Sequence, residues 1–398
     1  MKNIFIECIT EGEFATIRDA WNALLERSVT NEVFLSWEWM FSWWDAYKDE
    51  HKQLLILIGR DYQGNLIGIA PFYIEKNRYF GMKSRRVVRF CSSIETYADH
   101  LDILCEKDFE QSFPKAVINY FQEQNSIWDV ISLEGIKEDS ITKRYLVSQK
   151  DDLKHLIIDC EAQSECPYLT INESFEEYLK SFSGKTRNTL LRKRKNLLEK
   201  EKYEFHILNS DSDEPEKYMR ELFSLHAERA KRKKIPTVFS GKKTYHFHKN
   251  LVSHLLKGNK IVIAFLSKGS TILALYYCLR SSNKYYYYQT GISKQGEQKS
   301  AGTVLLSLIL EQAFNEGCSE FDFLRGNEEY KYFWTQNARR NYMLFIRKNT
   351  VFNEVTHYLS HTLLKPGKKM IKYHVLPTGT KIKKLVAEKR SKKILGEA

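Results

Sequence analysis

FDFLRGNEEYKYFW, residues 321–334, starts with the alternation of a buried strand and changes within two residues into a charged segment. Phe321 and Phe323 flank Asp322, and then Arg325 and a glycine begin the charged run. A strand can end in charges for solubility alone, with Asp322 and Arg325 forming a structural ion pair. The alternative is a binding site, because ligand groups collect at strand ends in α/β sheets.

This segment closes the second copy of a repeated pattern. Two strand patterns with a turn between them occur at residues 54–74 (LLILIGR, LIGIAPFYI) and again at residues 261–280 (IVIAFLS, TILALYYCLR). The first copy continues with TYADHLDIL, a helical SFPKAVINYFQEQ and the strand WDVISLEG, and the second with NKYYYYQTG, a helical GTVLLSLILEQAFNEG and FDFLRG. Two copies in the same order predict a tandem α/β fold.

The formal net charge of +12 is concentrated at the end of the chain. Residues 361–398 hold ten Lys and one Arg against two Glu, a local charge of +9. Basic and apolar residues alternate there, which predicts either an amphipathic helix on an anionic membrane surface or a disordered extension.

Composition excludes several classes of protein. No stretch approaches the roughly 18 apolar residues of a membrane span, and the first residues carry acids where a signal peptide needs an apolar run. We therefore expect a cytoplasmic protein. The seven cysteines show no CxxC pair and no zinc-ligand spacing, which indicates reduced cysteines that lie mostly in the core and no structural metal.

Two helical segments have unusual surfaces. Residues 33–47, VFLSWEWMFSWWDAY, predict an aromatic helix capped by Ser36, which either packs in the core or stacks on a sugar. Residues 185–202 carry eight basic and two acidic residues on a helical pattern. That surface is either a solvated face or an electrostatic guide for an anionic ligand.

The strand NKYYYYQT and the loop after it predict an anion site. Alternation places Tyr286 and Tyr288 on one face of the strand and Tyr285 and Tyr287 on the other. A polar loop of residues 291–302 then leads into a helix, whose free N–H groups and dipole favour a phosphate. A tyrosine facing a cleft there is a candidate general acid.

These motifs together resemble a known family. FDFLRGNEEYKYFW is similar to the signature of the cellulose-biosynthesis-associated acetyltransferases of the GNAT superfamily. SGKTRNTLLRKRKNLLEKEKYEFHI resembles the family's basic helix, SLHAERAKRKKIPTVFS its His-x-x-Arg helix, and KSAGTVLLSLILEQAFNEGCSEFDF its small-residue loop and following helix. The resemblance covers about residues 34–342.

The resemblance implies an α/β fold of two tandem GNAT-like lobes, each a mixed, twisted sheet flanked by helices, as in the Fem-type aminoacyltransferases. We assign residues 1–165 to the N-terminal lobe, 166–355 to the acyltransferase lobe and 356–398 to the basic tail. The implied reaction transfers an acyl group from acetyl-CoA or another acyl-CoA to a sugar or envelope-precursor acceptor. The protein would work in the cytoplasm, or peripherally at the inner face of the membrane.

Each candidate residue has an expected role in that reaction. Asp322 is expected to orient or deprotonate the acceptor, and Tyr288 to protonate the leaving thiolate. The expected acceptor-binding residues are Arg325, Lys331, Tyr330, Arg229 and His226, and the expected donor-binding residues are Gln298, Lys299, Ser300, Ala301, Gly302 and Thr303.

The donor loop departs from the usual GNAT pattern, because Ala301 stands where the first glycine is expected. Two alternatives therefore stay open. One is an aminoacyl-tRNA donor, as in the Fem-type enzymes, and the other is a non-catalytic protein that binds a glycan or lipid-linked precursor.

Overall fold

A computed structural model of the protein describes residues 3–348, except 78–84, 93, 209–214, 235–236, 238, 257 and 282. The basic tail, for which the sequence predicts either an amphipathic membrane-surface helix or a disordered extension, lies outside the described residues. In the described part, thirteen strands form one sheet. They are β1 (Phe5–Ile9), β2 (Lys52–Arg60), β3 (Leu66–Asn77), β4 (Arg85–Phe90), β5 (Leu104–Cys105), β6 (Val130–Lys137), β7 (Leu156–Thr170), β8 (Glu204–Ile207), β9 (Ile261–Lys268), β10 (Thr271–Ser281), β11 (Lys284–Ile292), β12 (Glu320–Asp322) and β13 (Ala338–Lys348).

Helices flank this sheet, which confirms the predicted fold class. They are α1 (Glu11–Thr16), α2 (Arg18–Arg27), α3 (Trp37–Tyr47), α4 (Ser112–Glu123), α5 (Ile141–Ser148), α6 (Phe175–Lys180), α7 (Gly184–Lys195), α8 (Pro215–Lys233), α9 (Lys242–Leu255), α10 (Lys294–Gln298), α11 (Ala301–Asn315) and α12 (Glu329–Tyr332). A π-helical turn, Asn196–Lys200, extends α7. No helix in the described ranges is long and apolar enough to cross a membrane.

The two halves of the sheet repeat one strand pattern. In the N-terminal half, β1 to β4 are antiparallel neighbours and β4 runs parallel to β6; in the C-terminal half, β8 to β11 are antiparallel neighbours and β11 runs parallel to β12. Both predicted hairpins are confirmed, as β2–β3 and β9–β10.

The two halves exchange their central strands. β13 follows the C-terminal half but pairs with β6, whereas β7 follows the N-terminal half but pairs with β12. The two exchanged strands also pair with each other, antiparallel, from Ala338 opposite Pro167 to Lys348 opposite Leu156. The predicted lobe boundary at residue 165 falls within β7 and stays a prediction.

One expected correspondence between the copies is wrong. The repeated pattern aligns TYADHLDIL with the tyrosine strand β11, but the strand that corresponds to β11 is β4, whose short sequence RRVVRF gives little strand signal. Residues 97–103 instead form a connection in which the Leu101 N–H donates to Gly135 O at 2.8 Å. β4 and β6 pair at only two positions, Val87 with Val130 and Val88 with Ile131. Further along β6, Leu101 forms an isolated parallel bridge with Ile136.

The aromatic helix α3 packs in the core. Ser36 caps it, as predicted, by accepting a hydrogen bond from Trp39 N. Its four tryptophans are at most 5% exposed, so they are not available to stack on a sugar at the surface. Core packing therefore explains the aromatic pattern.

We predict that Gly291→Ala lowers the free energy of unfolding by about 1–3 kcal/mol. A Cβ at Gly291 would lie 2.8 Å from Leu225 Cβ, because α8 packs directly on β11 there. Gly184→Ala is the control, since that exposed glycine at the start of α7 has open space around it and alanine favours the helix. Equal stability of Gly291→Ala and wild type in urea unfolding would contradict the prediction.

Candidate active site

Strands β11 and β12 separate after three residue pairs. The last pair is Tyr286 with Asp322, after which β11 continues to Ile292. The chain after β12 stays with β7 instead, since Phe323 N donates to Pro167 O at 2.9 Å. Leu324 adopts a left-handed φ of +57° at the point of divergence. We call the space between the second half of β11 and residues 323–326 the β11–β12 gap.

Asp322 lies at the closed end of this gap and is completely buried. One carboxylate oxygen accepts from Leu324 N at 2.7 Å, and the other lies 2.9 Å from His100 Nε2. Burial raises the pKa of Asp322, but the charge and hydrogen bond of His100, together with the charge of Arg339 and the Leu324 N–H, outweigh it and hold the pKa below its ordinary value. Both oxygens of the predicted catalytic carboxylate are therefore engaged within the protein.

The hydrogen bonds around His100 fix its charge. Asn341 Nδ2 donates to Asp99 Oδ1 at 2.6 Å, so Asn341 Oδ1 is the atom that faces His100 Nδ1, at 3.1 Å. Both ring nitrogens thus face oxygens that only accept, and both must donate. His100 is therefore an imidazolium. Its pKa agrees: burial lowers it, but Asp322, Glu32 and Asp99 together raise it above the ordinary value.

Arg325 completes this charged chain. Its backbone N and its Nε both donate to Asp99, at 2.9 and 2.7 Å, and its Nη2 donates to Ala98 O at 2.7 Å. These five side chains form a continuous series of hydrogen bonds, Asp322–His100–Asn341–Asp99–Arg325, which we call the buried chain. It joins residues of the N-terminal half to the turn after β12.

A second ionic group lies beside it. Glu32 contacts Lys137 and Lys284 at 3.1 and 3.3 Å and accepts from the Tyr286 hydroxyl at 2.6 Å. Burial raises the pKa of Glu32, but the two lysines hold it far below its usual range. Arg339 pairs with Glu320 and lies 3.9 Å from Asp322. Buried ions need such partners, since an unpaired one is costly.

Two of the cations predicted to bind the acceptor, Arg325 and Lys331, already bind groups within the protein. Arg325 pairs with Asp99, and Lys331 is 3% exposed, with its Nζ donating to Leu324 O and Arg325 O at 3.2 and 2.7 Å. In this structure both hold the turn after β12. Tyr330 is 45% exposed, and its ring lies 6.3 Å from that of Tyr287.

The tyrosines of β11 alternate as predicted. Tyr286 and Tyr288 face the N-terminal half, whereas Tyr285 and Tyr287 pack under α11. The Tyr288 hydroxyl donates to Thr96 O at 2.8 Å, across the interface between the halves. Burial raises the pKa of Tyr288 well above its ordinary value, so its phenol keeps its proton.

The predicted donor loop ends at an uncapped helix. Val304 N makes the first helical bond, to Ser300 O, so the N–H groups of Ala301, Gly302 and Thr303 lie in the open first turn of α11. Ser300 is in the left-handed region and, among the described residues, no side chain caps this helix. Ala301 and Gly302 are buried, Thr303 and Ser300 half-buried, and Gln298 exposed.

Basic residues surround this loop. Glu297 lies within 4 Å of Arg229, Arg232 and Lys233, three cations against one carboxylate. Lys299 pairs with Glu201. The C-terminal end of α8 and the start of α11 therefore form a site with excess positive charge.

Several residues of the site had no signal in the sequence. His248 and Tyr277 lie beside the predicted His226 and Tyr288, with the His248 ring 5.6 Å from that of Tyr277 and 5.7 Å from that of Tyr288. His100 is equally important, but 222 positions separate it from Asp322. Nothing local in TYADHL indicates that pairing. In the described part of the chain, no group of three His, Cys, Asp or Glu is placed to hold a metal.

Comparisons with known proteins support the fold. Residues 184–332 match the family of acetyltransferase (GNAT) domains. The crystal structure of FemX is similar over 89% of this chain and 99% of its own, with a TM-score of 0.59 and 10% identity. A conserved protein of unknown function from Bacteroides thetaiotaomicron covers 87% of this chain and 100% of its own (TM-score 0.51, 12% identity).

A third similar structure is L-PGS from Bacillus licheniformis, which covers 87% of this chain and 95% of its own, with a TM-score of 0.50 and 14% identity. No curated protein matches the chain. At these identities the likeness establishes the fold alone. The C-terminal half thus has a GNAT acetyltransferase fold, within an architecture shared with FemX.

We predict that Asp322→Asn lowers the free energy of unfolding by about 3–5 kcal/mol, because it leaves the His100 imidazolium buried beside a neutral amide. His100→Gln combined with Asp322→Asn should cost less than the sum of the single changes. Additive losses in urea unfolding would contradict the pairing.

The pair also predicts a pH dependence. The contribution of Asp322 is complete above about pH 4 and is lost as the pH falls through its lowered pKa. The contribution of His100 is complete below about pH 6.5 and is lost as the pH rises through its raised pKa. Stability measured against pH should fall on both sides in the wild type and less steeply in the double variant.

Proposed function

We propose that the protein is an acyltransferase that moves an acetyl or other acyl group from an acyl-CoA to a sugar, polysaccharide precursor or other envelope-related acceptor. We further propose that it belongs with the cellulose-biosynthesis-associated acetyltransferases that its sequence resembles. The observation that carries the proposal is the β11–β12 gap beside the uncapped start of α11, within the residues that match the GNAT domain.

The donor is proposed to bind at residues 298–303. Three N–H groups of the first turn of α11 and the helix dipole suit a pyrophosphate. The excess charge of Arg229, Arg232 and Lys233 over Glu297 suits the same anion. The thioester would then extend along β11 into the gap.

In the proposed reaction, the acceptor atom bonds to the acyl carbon, the carbon–sulfur bond breaks, and the acceptor proton passes to the leaving sulfur. Tyr288 keeps its proton, and we propose that its hydroxyl exchanges the hydrogen bond to Thr96 O for one to the developing negative charge when the substrates bind. Of the two roles expected for Asp322, orientation fits its complete burial better than proton transfer. It holds Leu324 and His100 at the closed end of the gap.

An aminoacyl-tRNA donor is the second candidate. The architecture shared with FemX favours it, as does the surface of α7, where Lys185, Arg192 and Lys195 are exposed. A basic helix of this kind suits a nucleic-acid backbone as well as it suits CoA. The two candidates differ in whether acetyl-CoA or tRNA binds.

We predict that the wild type binds acetyl-CoA and that Ser300→Asp weakens this binding at least about tenfold. Ser300 has a left-handed φ of +57°, which Asp tolerates, and a carboxylate at a helix start is favourable in the free protein but repels a phosphate. Isothermal titration calorimetry measures the effect. Gly302 is unsuitable for substitution, because a Cβ there would lie 2.6 Å from Ile292 Cδ1.

Ser300→Asn is the matched control, since it has the same shape as Asp without the charge and should bind nearly as the wild type does. Binding of acetyl-CoA that is equal in Ser300→Asp would place the donor elsewhere. Binding of bulk tRNA and not of acetyl-CoA would support the second candidate and contradict the first.

For catalysis, we predict that Tyr288→Phe lowers kcat about 100-fold with little change in the acceptor KM. Tyr285→Phe is the control, because the Tyr285 hydroxyl donates to Glu316 at 2.8 Å on the opposite face of β11. A wild-type kcat for Tyr288→Phe, or an equal loss in both variants, would remove Tyr288 from the mechanism.

A further inference from the structure

Several buried polar side-chain atoms have no hydrogen-bond partner among the described residues. Arg229 Nε and Arg232 Nη2 of α8 are among them, and three more belong to uncharged side chains of the C-terminal half. These three are His226 Nε2, His248 Nδ1 and Tyr277 Oη. Tyr277 is completely buried and His248 is 1% exposed. Folded proteins rarely leave such groups unsatisfied, so an orphaned group indicates an occupant that supplies the partner.

These atoms belong to a single aromatic cluster. The His248 ring lies 5.6 Å from that of Tyr277, and the Phe239 ring lies 4.9 Å from His226 and 4.5 Å from His248. The Tyr288 ring is 5.6 Å from that of Tyr277. We call these five residues the His–Tyr cluster. It brings together α8, α9, β10 and β11.

The cluster lies next to the proposed site of acyl transfer. Tyr288 belongs to the cluster and lies on β11, the strand that lines the β11–β12 gap. The Tyr288 hydroxyl donates to Thr96 O. Arg229, one turn along α8 from His226, lies at the basic site beside Glu297. The cluster is therefore a neighbour of both the gap, through Tyr288, and the basic site at the proposed donor loop, through α8.

The cluster carries no charge at neutral pH. Burial lowers the pKa of His226 to about 4 and that of His248 to about 3, with nearby Arg229 and His226 adding smaller effects in the same direction. Burial raises the pKa of Tyr277, so its phenol is neutral. Neutral imidazoles and phenols each offer one donor and one acceptor, which is the complement of a hydroxyl group.

Charged occupants fit the cluster poorly. An ammonium group would need a carboxylate, but Asp99 pairs with Arg325, and Glu297 pairs with three cations. The positive charge of Arg229 acts on His226 and would repel an ammonium. An anion would have Arg229 as its neighbouring cation, but Arg229 already lies beside Glu297, so burying the anion among the aromatic rings remains costly.

We propose that the His–Tyr cluster binds an uncharged hydroxyl group of the acceptor, so that the enzyme forms esters on a neutral sugar or polyol rather than amides. This inference rests on the proposed acyltransferase function. The hydroxyl oxygen bonds to the acyl carbon, the carbon–sulfur bond breaks, and the hydroxyl proton goes to the leaving sulfur. The products are an ester and a free thiol.

The test uses the full-length protein and three probes, methyl β-D-glucopyranoside, glucosamine at pH 6 and glucose 6-phosphate, in saturation-transfer NMR without donor. The neutral glucoside should bind at least about tenfold more tightly than either charged probe. His248→Phe and Tyr277→Phe should each weaken its binding about tenfold or more. Tyr277→Phe should melt at or above the wild-type temperature, because it removes an unsatisfied hydroxyl.

Tyr62→Phe is the control, since Tyr62 is 77% exposed and remote in the β2–β3 turn. Glucoside binding that is unchanged in both cluster variants, equal binding of a charged probe, or no binding of any probe would each overturn the inference. Acetyl-CoA binding measured on the same samples is a separate result. If the protein does not bind acetyl-CoA, the acyltransferase proposal is contradicted, whereas the measured binding of the glucoside still tests the hydroxyl site.

Discussion

The buried chain from Asp322 to Arg325 is the interaction on which the rest of the site depends. It connects the N-terminal half, through Asp99 and His100, to the turn where β12 leaves β11. Anions and cations alternate along it, so each ion has a partner of opposite charge, and the Asn341 amide connects His100 to Asp99 through hydrogen bonds. Replacing one of its charged residues leaves the opposite charge buried without a partner. Because the series also links the two halves, the geometry at the closed end of the gap depends on contacts from both of them.

The same architecture makes the two halves unequal. Each has a pair of parallel strands that separate, at β4 and β6 and at β11 and β12. In the N-terminal half the chain near Leu101 lies beside β6, and Gly135, with a φ of +72°, allows it to pass, since a Cβ there would lie 2.8 Å from Ala98 O. That half supplies residues of the buried chain, and the C-terminal half offers the gap and the uncapped helix.

Sequence patterns predict the local elements well, because hairpins, the helix α11 and the alternation of Tyr286 and Tyr288 are determined by neighbouring residues. They do not predict the exchange of β7 and β13, which depends on pairing between distant strands. The residues around Asp322 predict that it is important, but they do not predict its partner His100, since no local pattern links the two. The unpartnered atoms of His248 and Tyr277 become visible only when the side chains around them are placed.

Hydrogen–deuterium exchange with and without acetyl-CoA tests the central claim most directly, because it reports on both halves at once. The account predicts slower exchange at the amides of Ala301, Gly302 and Thr303 and in the second half of β11. It predicts no change in β4, β6 or residues 97–103. Protection confined to the N-terminal half, or protection nowhere, would contradict the assignment of the donor to residues 298–303 and of its thioester to the β11–β12 gap.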